Sequence, residues 1–110
     1  MPAEETHTTD TMDQVKKSIA DGKAILIDVR EKDEWAVGHL KAATSVPLSE
    51  LKTATQAPAN VPKDKPVYIH CKSGKRALMA AGILKTFGID VRPLKAGYDD
   101  LKEQGFEKAN

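Results

Sequence analysis

A chain of 110 residues with 40% apolar and 30% charged side chains is long enough for one ordinary hydrophobic core and too short for two. Seventeen Lys and Arg against sixteen Asp and Glu leave a formal charge of +1, so no field of one sign covers the molecule to draw in nucleic acid or an acidic membrane. One cysteine excludes an internal disulfide and a C-x-x-C pair, and three histidines with one cysteine make no metal-ligand spacing, so neither metal nor other cofactor is expected.

Residues 1–10 are polar and aperiodic, which makes residues 1–7, His7 included, a flexible tail and residues 6–9 at most a short edge strand. The opening residues lack the basic and apolar regions of a secretory signal, and no apolar run is long enough to span a bilayer; a cytoplasmic location is the default. Thr11 followed by Gln14 is the pattern of a capping box. Met12, Val15 and Ile19 then mark one inward helix face, and Gly22 is the stop.

Residues 24–29 form an apolar run bounded by charge, as expected of a central parallel strand covered on both faces. It leads into Asp28-Val29-Arg30-Glu31, then Glu34, Trp35, Gly38, His39 and Leu40. Asp28 can accept N–H groups at the strand end, Gly38 can end a helical turn over residues 31–37, and Arg30 is expected to pair with Glu31 or Glu34. His39 is read as a hydrogen-bonded structural residue. Residues 44–47 suit a short strand ending at Pro47, and Ser49 is a plausible cap for the helix that follows. Residues 53–66 form the main loop.

The stretch with the most chemistry is Pro66-Val67-Tyr68-Ile69-His70-Cys71-Lys72-Ser73-Gly74-Lys75-Arg76-Ala77. Strand formers stop at the cysteine, a turn with glycine and three cations follows, and helix formers continue from Ala77 to Leu84. A strand, a tight loop and a helix start leave backbone N–H groups aimed at whatever anion sits in the curl. A thiolate at Cys71 suits that position, with Lys72, Lys75 and Arg76 nearby. A buried structural cysteine is the competing reading, and three cations within five positions argue against it. His70, adjacent to Cys71 on a strand, points to the opposite face and packs. Gly88 ends the helix, residues 89–94 form a last strand that Pro93 confines to an edge or strand end, and residues 99–104 form a closing helix before Gly105.

The series D-V-R-E-x-x-E-W-x-x-G-H-L from Asp28 to Leu40, together with the six-residue loop from Cys71 to Arg76, resembles the rhodanese family of sulfurtransferases. Ala96-Gly97-Tyr98 resembles that family's terminal G-G-[WY] turn, with Ala96 in place of the first glycine. The resemblance implies one α/β rhodanese-like domain over residues 8–106, between tails at 1–7 and 107–110. Its sheet is mainly parallel, of about five strands, with helices on both faces.

The activity implied is transfer of a sulfane sulfur from a donor such as thiosulfate to cyanide or a thiol through a Cys71 persulfide. Lys72, Ser73, Gly74, Lys75 and Arg76 bind the substrate: their backbone N–H groups hold the persulfide and the cations attract a dianionic donor. The partners expected are a small-molecule donor and acceptor, with a monomeric protein and no nucleic acid or membrane. A persulfide carrier serving a partner protein is the nearest alternative, since it needs the same loop. A dual-specificity phosphatase or arsenate reductase of similar fold would carry a loop one residue longer, and a non-catalytic module of this fold commonly lacks the cysteine.

Overall fold

A computed structural model describes residues 5–110. Strands β1 (Ile25–Asp28), β2 (Ala43–Ser45), β3 (Val67–His70) and β4 (Val91–Pro93) pair in the order β2-β1-β3-β4, each pair parallel. Helix α1 (Met12–Ala20) precedes them, α2 (Lys32–Val37), α3 (Leu48–Leu51) and α4 (Lys75–Lys85) run between them, and α5 (Tyr98–Glu103) follows. Among the described residues no helix is long and apolar enough to cross a membrane.

The continuous apolar character of β1 and β3 follows from their central position, because alternate side chains fill two cores. Ile27, Val29, Val67, Ile69 and Cys71 pack with Leu48 and Leu51 of α3 and with Ala77, Ala80, Ala81 and Leu84 of α4. Leu26 and Tyr68 point the other way, into a cluster with Val15 of α1, Leu40 and Leu101 of α5. Alanines on the inner side of α4 allow that helix to lie close to the sheet, while Met79 on the same helix stays 51% exposed.

Local signals explain most element ends. Thr11 caps α1 reciprocally, its Oγ1 accepting the Gln14 N–H at 3.2 Å while its own N–H donates to Gln14 Oε1 at 2.8 Å. Ser49 does not cap α3: Pro47 precedes the helix, and the Ser49 hydroxyl donates to Glu31 Oε1 at 2.5 Å, tying α3 to the start of α2. Among the described residues the sheet has four strands where about five were expected. Thr8 donates its N–H to Pro93 O at 2.8 Å, but Pro93 has no N–H to return, so residues 6–9 make one bond along β4 and no ladder.

The segments before α1 and after α5 are tied to the domain. Asp10 Oδ2 accepts from Tyr68 Oη at 2.7 Å and from Arg92 Nη1 at 2.9 Å, and these bonds hold the Asp10 carboxyl below its ordinary range. At the other end Lys41 N–H donates to Glu107 O and Ala109 N–H to His39 O, each at 2.8 Å.

Candidate active site

Cys71 follows the last residue of β3, at the carboxyl end of the parallel sheet, where open α/β folds place their sites. Alternation along the strand puts its side chain on the α4 face and His70 on the α5 face, as expected from their adjacency. The thiol is fully buried. Gly74 N–H donates to Cys71 Sγ at 3.0 Å, curling the loop back over the sulfur. That curl depends on Gly74 having φ +93° immediately before α4, a conformation that side chains other than glycine's resist. A Cβ there would also lie 3.0 Å from both Lys95 O and His7 Nε2.

The loop residues divide by exposure. Lys72, Ser73 and Lys75 are exposed, and among the described residues neither lysine forms an ion pair. Gly74 is buried. Arg76 turns sideways and binds Glu34 of α2 through two bonds, Nη1 to Oε1 at 2.5 Å and Nη2 to Oε2 at 3.0 Å. The Arg76 bonds hold the Glu34 carboxyl down to about 2, with burial opposing. Arg76 is raised in turn, first by those bonds and to a lesser degree by the neighbouring Cys71. Arg30, expected to pair with Glu31 or Glu34, folds back instead. Its Nε and Nη2 donate to Asp28 at 2.7–3.0 Å and Nη2 also reaches Gly38 O at 2.8 Å. The two-residue return brings fork and carboxylate into register at the strand end, where both are buried.

Beneath the loop on the α5 side lies a buried polar layer. Arg30 Cζ sits 4.2 Å over the Tyr98 ring, and His70 Nδ1 lies 3.3 Å from Cys71 O. His70 Nε2 is 3.7 Å from Asp28 Oδ2, too far for a hydrogen bond, and burial pushes the imidazole below its ordinary value despite that carboxylate. His39 is structural: its ring stacks on Trp35 at 3.7 Å and its Nδ1 lies 3.0 Å from Trp35 O.

Sequence reasoning missed what supports the loop from outside it. Tyr98 N–H donates to Cys71 O at 2.9 Å, and Gly97 lies so close to Lys72 that a Cβ would be 2.5 Å from the Lys72 carbonyl carbon. The terminal turn is therefore a backbone seat for the loop; the signal available was a glycine beside an aromatic residue after the last strand. His7 also reaches the loop, with Nε2 3.0 Å from Gly74 O. Surface clefts elsewhere, one lined by Asp10, Tyr68 and Arg92, do not include Cys71. Among the described residues no three His, Cys, Asp or Glu side chains gather as a metal-binding group.

Known proteins are similar in fold and sequence. A human structure described as a single-domain sulfurtransferase, TSTD1, superposes with a TM-score of 0.74 at 25% identity, covering 93% of this chain and 97% of its own. Human thiosulfate:glutathione sulfurtransferase is 32% identical over 91 residues, covering 73% of this chain and 79% of that protein. An uncharacterised Bacillus subtilis protein, YqhL, is 42% identical over 77 residues; the match covers 69% of this chain and 59% of YqhL. The pattern of the rhodanese-like domain runs over residues 11–104, from the cap of α1 past the end of α5, and the chain belongs to that family.

Proposed function

We propose that this protein is a sulfurtransferase that carries sulfane sulfur on Cys71. The observation that carries the reading is the Gly74 N–H on Cys71 Sγ at 3.0 Å, in a loop between a strand end and a helix start. A thiol placed for packing alone needs neither a left-handed glycine nor a donor aimed at its sulfur. The N–H group favours an anionic sulfur, as do the orphan donors of the first turn of α4 and the loop cations.

In the first displacement the Cys71 thiolate attacks the outer sulfur of thiosulfate. A new S–S bond forms, the sulfur–sulfur bond of the donor breaks, and sulfite departs with the electron pair. In the second, a thiolate or cyanide attacks the outer sulfur of the Cys71 persulfide and returns the thiolate. No general base is required, and two separate displacements predict ping-pong kinetics. Exposed Lys72 and Lys75 attract the dianionic donor, and the N–H groups of residues 72–76 hold the transferred sulfur. The name of the human relative, thiosulfate:glutathione sulfurtransferase, supports this donor and a thiol acceptor.

A protein acceptor is the second reading. It is favoured by the exposure of Lys72, Ser73 and Lys75 around a buried sulfur, and by relatives named adenylyltransferase and sulfurtransferase, of which this chain matches less than a fifth. Phosphate chemistry is disfavoured because the arginine of the loop is held by Glu34. A cytoplasmic, monomeric protein is part of the proposal. Mass spectrometry after incubation with thiosulfate should show one added sulfur atom on the native protein and none on Cys71→Ser. Transfer to cyanide that survives in Cys71→Ser would overturn the mechanism.

A further inference from the structure

We propose that His7 is a positioning residue of the active loop: its Nε2–H donates to Gly74 O at 3.0 Å and fixes the backbone at the residue whose own N–H holds the Cys71 sulfur. The proposal rests on the sulfurtransferase reading and adds a residue outside the matched family pattern, which begins at residue 11.

Three observations support it. The contact is not an accident of a loose end, because residues on both sides of His7 are tied down. Glu5 lies 3.6 Å from Lys85 of α4, Thr8 N–H bonds Pro93 O, and Asp10 binds both Tyr68 and Arg92. Gly74 is also enclosed, with a Cβ position 3.0 Å from Lys95 O on one side and 3.0 Å from His7 Nε2 on another, so His7 closes a slot that the chain after β4 opens. Finally, a trans peptide carries its C=O and N–H in opposite directions. Holding Gly74 O therefore orients the Lys75 N–H, one of the orphan donors at the start of α4 and one of those assigned to the transferred sulfur.

The chemistry of the bond separates positioning from acid–base work. A carbonyl oxygen only accepts, so Nε2 must carry the proton, and both the neutral Nε2–H tautomer and the imidazolium do so. A proton shuttle would need the ring to change state.

The experiment compares native protein with His7→Ala and His7→Gln, glutamine placing an amide donor at similar reach. Steady-state thiosulfate:cyanide transfer should lose about tenfold in kcat in His7→Ala, the scale of one hydrogen bond, with KM for thiosulfate changed far less. His7→Gln should recover kcat to within about twofold, and the pH profiles of all three should run parallel. Unchanged kcat in His7→Ala would overturn the proposal, as would failure of glutamine to rescue or loss of one limb of the pH profile. The amide resonances of Gly74 and Lys75, shifted in His7→Ala and restored in His7→Gln, report the bond independently of turnover. If thiosulfate adds no sulfur to Cys71 in native protein, the sulfurtransferase reading fails by itself; unmoved amide resonances would refute the His7 contact by themselves.

Discussion

Replacing Gly97 by alanine would place a methyl group inside the backbone of the active loop. Gly97 has φ −90° and ψ −174°, extended backbone that alanine adopts freely, so the cost comes from contact and not from conformation. The added Cβ would lie 2.5 Å from the Lys72 carbonyl carbon and closer still to its oxygen, where real Cβ atoms keep at least 3.0 Å. Both sides of the contact are backbone, and no flexible side chain can swing away. Either the turn recoils, pulling on the Tyr98 N–H bond to Cys71 O, or the loop recoils and carries Cys71 with it. A displacement of about 1 Å at a reacting group costs on the order of a hundredfold in rate, and overpacking of this kind about 1–3 kcal/mol in stability. Thiosulfate:cyanide turnover and thermal unfolding should be measured together on Gly97→Ala. Turnover should fall about a hundredfold while Tm drops by about 4–8 °C for each kcal/mol lost. Turnover within about threefold of native, a small fraction of the loss expected from misplacement, would refute the claim that this turn seats the loop.

Glu34→Gln should cost about 1 kcal/mol at neutral pH, because the pair with Arg76 is partly solvated. The Glu34 carboxyl is held down to about 2 from 4.5, so its contribution is complete above 4.5 and lost as pH falls toward 2; urea unfolding curves of native and variant should converge across that window. Lys72→Ala with Lys75→Ala should raise KM for thiosulfate by at least about fivefold and flatten its dependence on salt, whereas an unchanged KM would make these lysines ordinary surface charges. Burial lowers His70 from its ordinary 6.5, so below that pH the unfolded chain binds a proton that the folded one resists. Between pH 6.5 and 4.5 stability should therefore fall on acidification, by at most about 1.4 kcal/mol per pH unit, and that slope should vanish in His70→Asn. A native slope of zero near pH 6 would show His70 charging in place against Asp28.

What the sequence made legible was whatever is decided within a few residues. The Thr11 capping box, the two central strands, the opposite orientations of His70 and Cys71, and the confinement of Pro93 to an edge all follow from local patterning, and the structure has them. Contacts between distant segments were not legible. Arg76 meets Glu34 across 42 positions and His7 meets Gly74 across 67, and nothing in their neighbourhoods names the partner before the strand order is known. Arg30 failed for the opposite reason. Glu31 and Glu34 are nearer to a helical reading of the segment, yet Asp28, two residues back, lies where the buried guanidinium points. Ala96 marks a departure from the usual glycine pair, and the structure assigns the close approach to the second residue, Gly97, which is retained.

Pro93 has a consequence for how molecules of this protein meet one another. An edge strand of a sheet is a template on which a second chain can add, and growth requires an alternating supply of donors and acceptors. By alternation the outward groups of β4 are those of Val91 and Pro93; proline supplies no donor, and its oxygen is already taken by Thr8. At the opposite edge β2 has three residues, too short a rail for a stable ribbon. Removing the segment around Thr8 would uncover the Pro93 acceptor, so shortened versions of the chain should self-associate more readily at high concentration than the full one.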